Sequence, residues 1–154
     1  MRTAIHVVWK LPPSEIGGLR FIRQEVRTTF ELQGDGFYHS RDVLFLSARN
    51  TAKDTSRDVL SEYLNLPAVT ASFYDALQAA THTDLSARQI VFALPRENEG
   101  VKRYYGVPCW YWLSDKLARY AGYYQVADMK GNYNHGVANV VCGCAPMFTF
   151  ADGE

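Results

Sequence analysis

The chain predicts an α+β fold, a compact mixed domain of antiparallel strands with two short helices. Three observations carry that reading. Apolar residues alternate with polar ones in the first and last thirds, the period of half-buried strands. A helical apolar stripe is confined to the middle, residues 59–64 and 72–80. Glycine and proline punctuation separates these runs into short pieces, as antiparallel connections require.

Composition is compatible with that class. A chain of 154 residues forms one domain able to bury roughly 70% of its unfolded surface without metal or disulfides. Apolar residues at 47% and charged residues at 21% exclude a disordered chain. Sixteen basic residues balance sixteen acidic ones, so no global field draws it to nucleic acid or an anionic membrane. The three cysteines are odd in number and all lie at or after Cys109. That is not a secreted disulfide framework, and a reduced cytoplasmic history is the simpler inference. The first nine residues are too short and too polar for a signal peptide. No apolar run approaches the roughly 18 residues of a membrane helix.

Residues 1–13 read as an arm before a single globular domain, residues 14–154. Ile5, Val7 and Trp9 alternate with Ala4, His6 and Val8, and Pro12-Pro13 stops the pairing. Such a strand packs on its own domain or docks to a neighbouring subunit. After Gly17-Gly18, Ile22, Val26, Thr28, Phe30 and Leu32 share one parity, a half-buried strand ending at the turn Gln33-Gly34-Asp35-Gly36. A further strand follows at Val43-Leu44-Phe45-Leu46. Thr55 or Ser56 is placed to cap a helix through Val59, Leu60, Tyr63 and Leu64, ended by Asn65-Leu66-Pro67. Phe73, Leu77 and Ala80 line a second helix. Strands follow at residues 89–94, 109–113, 123–127, 137–141 and 147–150. Residues 130–136 read as a polar loop between two glycines, and Trp110, Trp112 and Phe148 as core.

The chemistry-bearing residues give few leads. Cys142-x-Cys144 puts two thiols on one strand face, but zinc needs two more ligands, with His135 and Cys109 the available candidates. Buried free thiols are the simpler reading, and no metal or other cofactor is expected. His82-Thr83-Asp84 and His39-Ser40-Arg41 place their hydroxyls one position too early for the two-histidine phosphoesterase pattern. A Cys–His pair between Cys109 or Cys142 and His135 is conceivable, though no spacing brings them together. Arg96, Lys102, Arg103, Tyr104 and Tyr105 form a basic-aromatic cluster, read as a solvated loop because Glu97 and Glu99 lie among them. The richest contact surface is Asn132-Tyr133-Asn134-His135, with Tyr120, Tyr123 and Tyr124 nearby. Tyrosine and asparagine are the mix binding loops favour; a plain surface hairpin fits equally well.

The order of landmarks resembles an uncharacterised domain family of bacterial and phage proteins, related in fold to the C-type-lectin-like and formylglycine-generating group. The resemblance rests on residues 56–65, residues 88–95, Tyr111-Trp112-Leu113 and the close Gly143-Cys144-Ala145-Pro146-Met147. The arginine and proline of the family's aromatic element are missing here, and that family has no agreed activity. The resemblance implies a C-type-lectin-like domain with a displayed C-terminal loop, in many cases part of a virion. The cysteine spacing is too narrow for the copper pair of formylglycine-generating enzymes, and the calcium-dependent sugar motifs of true C-type lectins do not occur.

The expectation is therefore a non-enzymatic phage structural protein, decorating a capsid or forming part of a tail or fibre. It would be made in the cytoplasm and would bind copies of itself or other virion proteins, without nucleic acid or membrane. The expected contact residues are Trp9 in the arm and Tyr123, Tyr124, Asn132, Tyr133, Asn134 and His135. An intracellular protein that binds or sequesters a small molecule is the alternative, with a cryptic hydrolase or metal-dependent enzyme third.

Overall fold

A computed structural model describes residues 3–49, 58–116 and 122–152. In chain order the described elements begin with β1 (Ala4–Leu11), β2 (Ser14–Ile16), β3 (Leu19–Phe21), β4 (Gln24–Leu32), β5 (Tyr38–Ser40) and β6 (Phe45–Ser47). Two helices follow, α1 (Val59–Leu64) and α2 (Pro67–Thr81). The remainder is β7 (Arg88–Ala93), β8 (Lys102–Tyr104), β9 (Val107–Cys109), β10 (Tyr111–Lys116), β11 (Tyr123–Ala127), β12 (Tyr133–Val137), β13 (Cys142–Cys144) and β14 (Met147–Asp152). The mixed, mainly antiparallel architecture with two helices is the one the patterning predicts.

Two five-stranded sheets organise the described residues. The first runs β1-β4-β5-β14-β7 and the second β12-β11-β10-β13-β6, with β10 and β13 parallel and the other pairs antiparallel. One core takes side chains from both sheets and both helices, including Trp9, Phe30, Leu64, Phe73, Trp112 and Phe148. Its centre is aromatic. Trp9 stacks on Phe92 at 5.5 Å and meets Phe73 at 4.4 Å, and Phe148 sits 5.0 Å from both Phe30 and Phe73. Tilted and edge-on rings at these separations add attraction beyond their buried area.

The N-terminal strand is part of this domain. All eight residues of β1 pair with β4, and Ile5, Val7, Trp9 and Leu11 alternate inward. Trp9 is 0% exposed, and its indole N–H donates to Ser72 Oγ at 2.9 Å. The expectation that Trp9 contacts a partner is corrected: an indole that fills the core and satisfies its polar tip inside has nothing left to offer outside.

Several boundaries differ from the sequence reading for local reasons. The strand expected from Ile22 starts at Gln24, and Ile22 is 69% exposed. The first helix is capped by Asp58, whose carboxylate accepts from the Leu60 and Ser61 amides; Thr55 and Ser56 lie outside the described residues. The second helix begins at Pro67, five residues ahead of the expected Ser72. Proline needs no amide partner in the first turn, so it ends one helix and starts the next. Residues 133–136, read as loop, form β12 together with Val137, while 138–141, read as strand, form the turn before β13.

Candidate functional site

The outer face of the first sheet carries a cleft of about 1180 Å³. Its floor is one row of side chains, because Glu31, His39, Met147 and Ala93 lie opposite one another across β4, β5, β14 and β7. Strand alternation sends the flanking residues Phe30, Tyr38, Phe148 and Phe92 into the core, so the row itself faces out. The 33–37 turn and the 95–101 loop supply the walls.

His39 is the centre of this cleft. Its ring nitrogens lie 2.8 Å from Glu99 Oε1 (Nδ1) and 2.8 Å from Asp35 Oδ2 (Nε2). Carboxylates only accept, so both contacts are hydrogen bonds when both ring nitrogens carry protons, as in the imidazolium. Burial opposes that charge, yet the bonds to Glu99 and Asp35 outweigh it and raise the His39 pKa above its ordinary value. Beside it the buried Lys102 donates from Nζ to the Ser40 carbonyl at 2.5 Å and to Glu99 Oε2 at 3.4 Å. Burial pushes the Lys102 pKa down, with Glu99 acting against it. Arg41 donates to Glu31 at 3.0 Å on the rim. These groups answer one another's charge. A histidine with both nitrogens donating has no lone pair for base or nucleophilic work.

The second sheet has a matching row. Tyr133, Ala127, Tyr111, Gly143 and Leu46 lie opposite one another across all five strands. The middle of the row is covered: Tyr111, Leu113, Ala127, Val43 and Ala145 form a small second core under Tyr104 and Cys109 of the β8–β9 hairpin. Gly143 allows this closeness, since a Cβ there would stand 2.6 Å from Val43 Cγ1 and 2.9 Å from the Trp110 carbonyl. Both ends of the row are open. Tyr133 is 59% exposed and Leu46 45%, and Val141 and Val107 add further apolar surface nearby.

The expected contact residues divide between the two faces of the β11–β12 hairpin. Tyr123 pairs with Val137, and Tyr133 and His135 share their outward parity; the Tyr123 and His135 rings lie 5.6 Å apart. Tyr133 is fixed by its hydroxyl, which accepts the Asn98 amide at 3.0 Å. Asn132 sits in the turn, where its amide donates to Asp128 Oδ1 at 3.0 Å. Asn134 is half-buried on the other parity. Tyr124 is a correction. It is 1% exposed and packs against Trp112 and Arg49, so it belongs to the core. Tyr120 lies outside the described residues.

The thiols do not assemble a ligand set. Cys142 and Cys144 face the main core and Cys109 faces the small one on the opposite side of the sheet. Burial raises all three thiol pKa values, that of Cys142 to about 11. The basic-aromatic cluster also disperses, since Lys102 is buried while Arg103 and Tyr105 point to solvent. Sequence reasoning missed His39 with Asp35 and Glu99, and also Leu46, Val107 and Val141. The alternation around Glu31 marks an outward face, but no sequence signal joins it to Glu99. Among the described residues no helix is long and apolar enough to cross a membrane. Comparison with protein-family models, curated proteins and solved structures finds no match.

Proposed function

We propose that this chain works by binding and assembly without covalent chemistry, as a structural component of a phage particle. In this reading the outer face of the second sheet joins it to further copies or to other virion proteins. The observation that supports it most directly is Tyr133, a large exposed side chain whose hydroxyl is already anchored to the Asn98 amide. An aromatic held in place before contact loses little freedom on binding. Exposed Leu46 on the same sheet and Val141 in the turn before β13 extend the apolar surface, and such surface marks contact sites. Raised thiol pKa values and a doubly donating His39 leave these groups unsuited to nucleophilic attack. The virion placement and a C-type-lectin-like relationship rest on the sequence resemblance, and synthesis in the cytoplasm on the cysteine usage.

Light scattering over a range of concentrations tests the proposal. A discrete closed oligomer is expected, and Tyr133→Ser with Leu46→Lys should dissociate it while leaving the melting temperature close to that of the parent. A monomer at every concentration that also fails to associate with other particle proteins would count against it. The cleft supports a second reading, a protein that holds a small polar molecule, because 1180 Å³ is ample for one. Native mass spectrometry of freshly purified protein would then show a bound mass that Arg96→Ala or Glu97→Ala reduces.

A further inference from the structure

We propose that His39 is a proton-operated latch through which the 33–37 turn, the outer lip of the cleft, is tied to the 98–101 loop. The latch belongs to the first sheet and does not depend on the assembly reading.

The argument starts from donor count. As an imidazolium His39 has two N–H groups and uses both, one on each wall of the cleft, at 2.8 Å. A neutral imidazole has one N–H and one lone pair. Its bare nitrogen would then face a carboxylate oxygen, acceptor against acceptor, and that carboxylate must leave. Loss of one proton thus releases one wall.

The surroundings decide which wall. Glu99 is held on several sides. Its second oxygen faces Lys102 Nζ, and its own amide donates to the Tyr111 hydroxyl at 3.1 Å. The adjoining Gly100 carbonyl accepts from that hydroxyl at 2.7 Å, and the Gly100 amide donates to Asn98 Oδ1. Asp35 sits in a turn with its side chain 47% exposed against 22% for Glu99. Water can replace His39 at Asp35 at little cost. The proton therefore stays on Nδ1 for Glu99, and Asp35 is the group let go.

Other charges near the ring do not substitute for the lost contact. Lys102 is spent on Ser40 and Glu99, and Arg41 on Glu31, the neighbour of His39 on β4. From β14 the neighbour is Met147, which is uncharged. Once freed, Asp35 keeps the Phe37 amide on its other oxygen, at 2.9 Å. The turn keeps its internal bonds, the Gln33 amide on the Phe37 carbonyl at 2.9 Å and the Gly36 amide on the Gln33 carbonyl at 3.1 Å, and the Thr149 hydroxyl on the Gly36 carbonyl, but loses its tie through Asp35 to the 98–101 loop.

The experiment is an NMR titration of the full chain from about pH 5 to about pH 10, across the range in which histidines change charge. It follows the His39 ring protons together with amide exchange at Phe37 and Glu99. With intrinsic base catalysis divided out, Phe37 exchange should rise by roughly tenfold or more, the weight of a charge-assisted hydrogen bond. Its midpoint should coincide with the His39 titration, and Glu99 exchange should stay flat. Asp35→Asn changes an exposed side chain and retains the bond to the Phe37 amide. It should abolish the step at Phe37 and lower the His39 midpoint. Phe37 exchange indifferent to His39, a step at Glu99 in its place, or a step that survives in Asp35→Asn would each overturn the proposal.

Discussion

Arg49 offers the sharpest test of how the core is tied together. The side chain is 1% exposed, among the largest fully buried groups of the domain. It donates to the Leu113 carbonyl at 2.6 Å and to the carboxylate of Asp58, the cap of α1. Its guanidinium lies 4.1 Å from the Tyr124 ring centroid and 5.8 Å from that of Trp112. Burial pushes its pKa below the usual guanidinium value, with Asp58 acting in the other direction. Arg49→Met retains the stem and removes every one of these contacts.

Leaving a buried carbonyl without a donor costs about 1–3 kcal/mol, and a desolvated cation over an aromatic ring contributes about 2 kcal/mol. Asp58 loses less, because it retains Ser61 Oγ at 2.8 Å and two backbone amides and is partly exposed. The expected destabilisation is about 3–5 kcal/mol, the range for breaking a buried pair. Against a total of about 5–15 kcal/mol that is a large share. Urea unfolding followed by tryptophan fluorescence should show a midpoint lower by on the order of 2 M at typical urea slopes. Arg49→Lys should recover little, since one ammonium lacks the fork that spans Asp58 and the Leu113 carbonyl. A loss under about 1 kcal/mol in Arg49→Met, far short of the value above, would refute the reasoning, and full stability in Arg49→Lys would refute the geometric part of it.

Further outcomes follow from the same contacts. Trp9→Ala should destabilise by about 3–5 kcal/mol, measured by denaturation, yet leave the oligomeric state of the folded fraction unchanged; loss of assembly with stability intact would restore the arm as an interface. Stability should peak between two limits. Asp35 has its pKa lowered, burial being outweighed by the Phe37 amide and His39, so its contribution exists above about 3.9, the unfolded value, and disappears as pH falls through the folded value. His39 has its pKa raised, so its contribution is complete below about 6.5 and disappears as pH rises through the folded value. Urea midpoints measured across pH should show both limbs, and the upper one should shrink in Asp35→Asn. Thiol titration with a disulfide reagent at mildly alkaline pH should modify half-buried Cys109 first, with Cys142 and Cys144 reacting only on unfolding. Equal rates at all three would contradict the burial assigned to them.

Periodicity made the local elements legible. Ile5, Val7 and Trp9 announce a strand, and the stripe through Val59, Leu60, Tyr63 and Leu64 a helix. What periodicity lacks is the partner. The same alternation serves a strand that pairs with another subunit and one that pairs with β4, and it does not say that Trp9 fills the core. Parity likewise separates Tyr123 from Tyr124 but does not say which side is solvent. Buried Trp112 on the neighbouring strand decides it, with Tyr124 at 6.1 Å. The cleft was hidden for another reason. His39 and Glu99 are 60 residues apart, and each looks like an ordinary surface charge in its own segment. Lys102 looks like part of a solvated loop from its own segment yet is buried, because its ammonium reaches a carbonyl 62 residues away.

The two rows explain why a short loop carries so much of this architecture. One row crosses the first sheet through His39 and the other crosses the second through Tyr111. Residues 98–102 lie between them and bond to both. The Glu99 side chain reaches His39 while its amide reaches Tyr111. Lys102 closes on Ser40, and Asn98 anchors Tyr133 through its amide. Outer faces of stacked sheets ordinarily have no common contact, since only the inner faces meet in the core. Here a polar loop supplies that contact outside the apolar core: the Glu99 bond to His39 is part-buried, while the Lys102 bond to the Ser40 carbonyl is buried at both ends. The inner faces are joined mainly by apolar and aromatic packing, with buried Arg49 tied to Asp58 and the Leu113 carbonyl. The outer join is partly ionic, through His39, Glu99 and Lys102, and partly neutral, through the Tyr111 and Tyr133 hydroxyls. A cleft on one face and a contact surface on the other are thus separated by a single hydrogen-bonded segment, and Glu99 is the residue common to both of its ends.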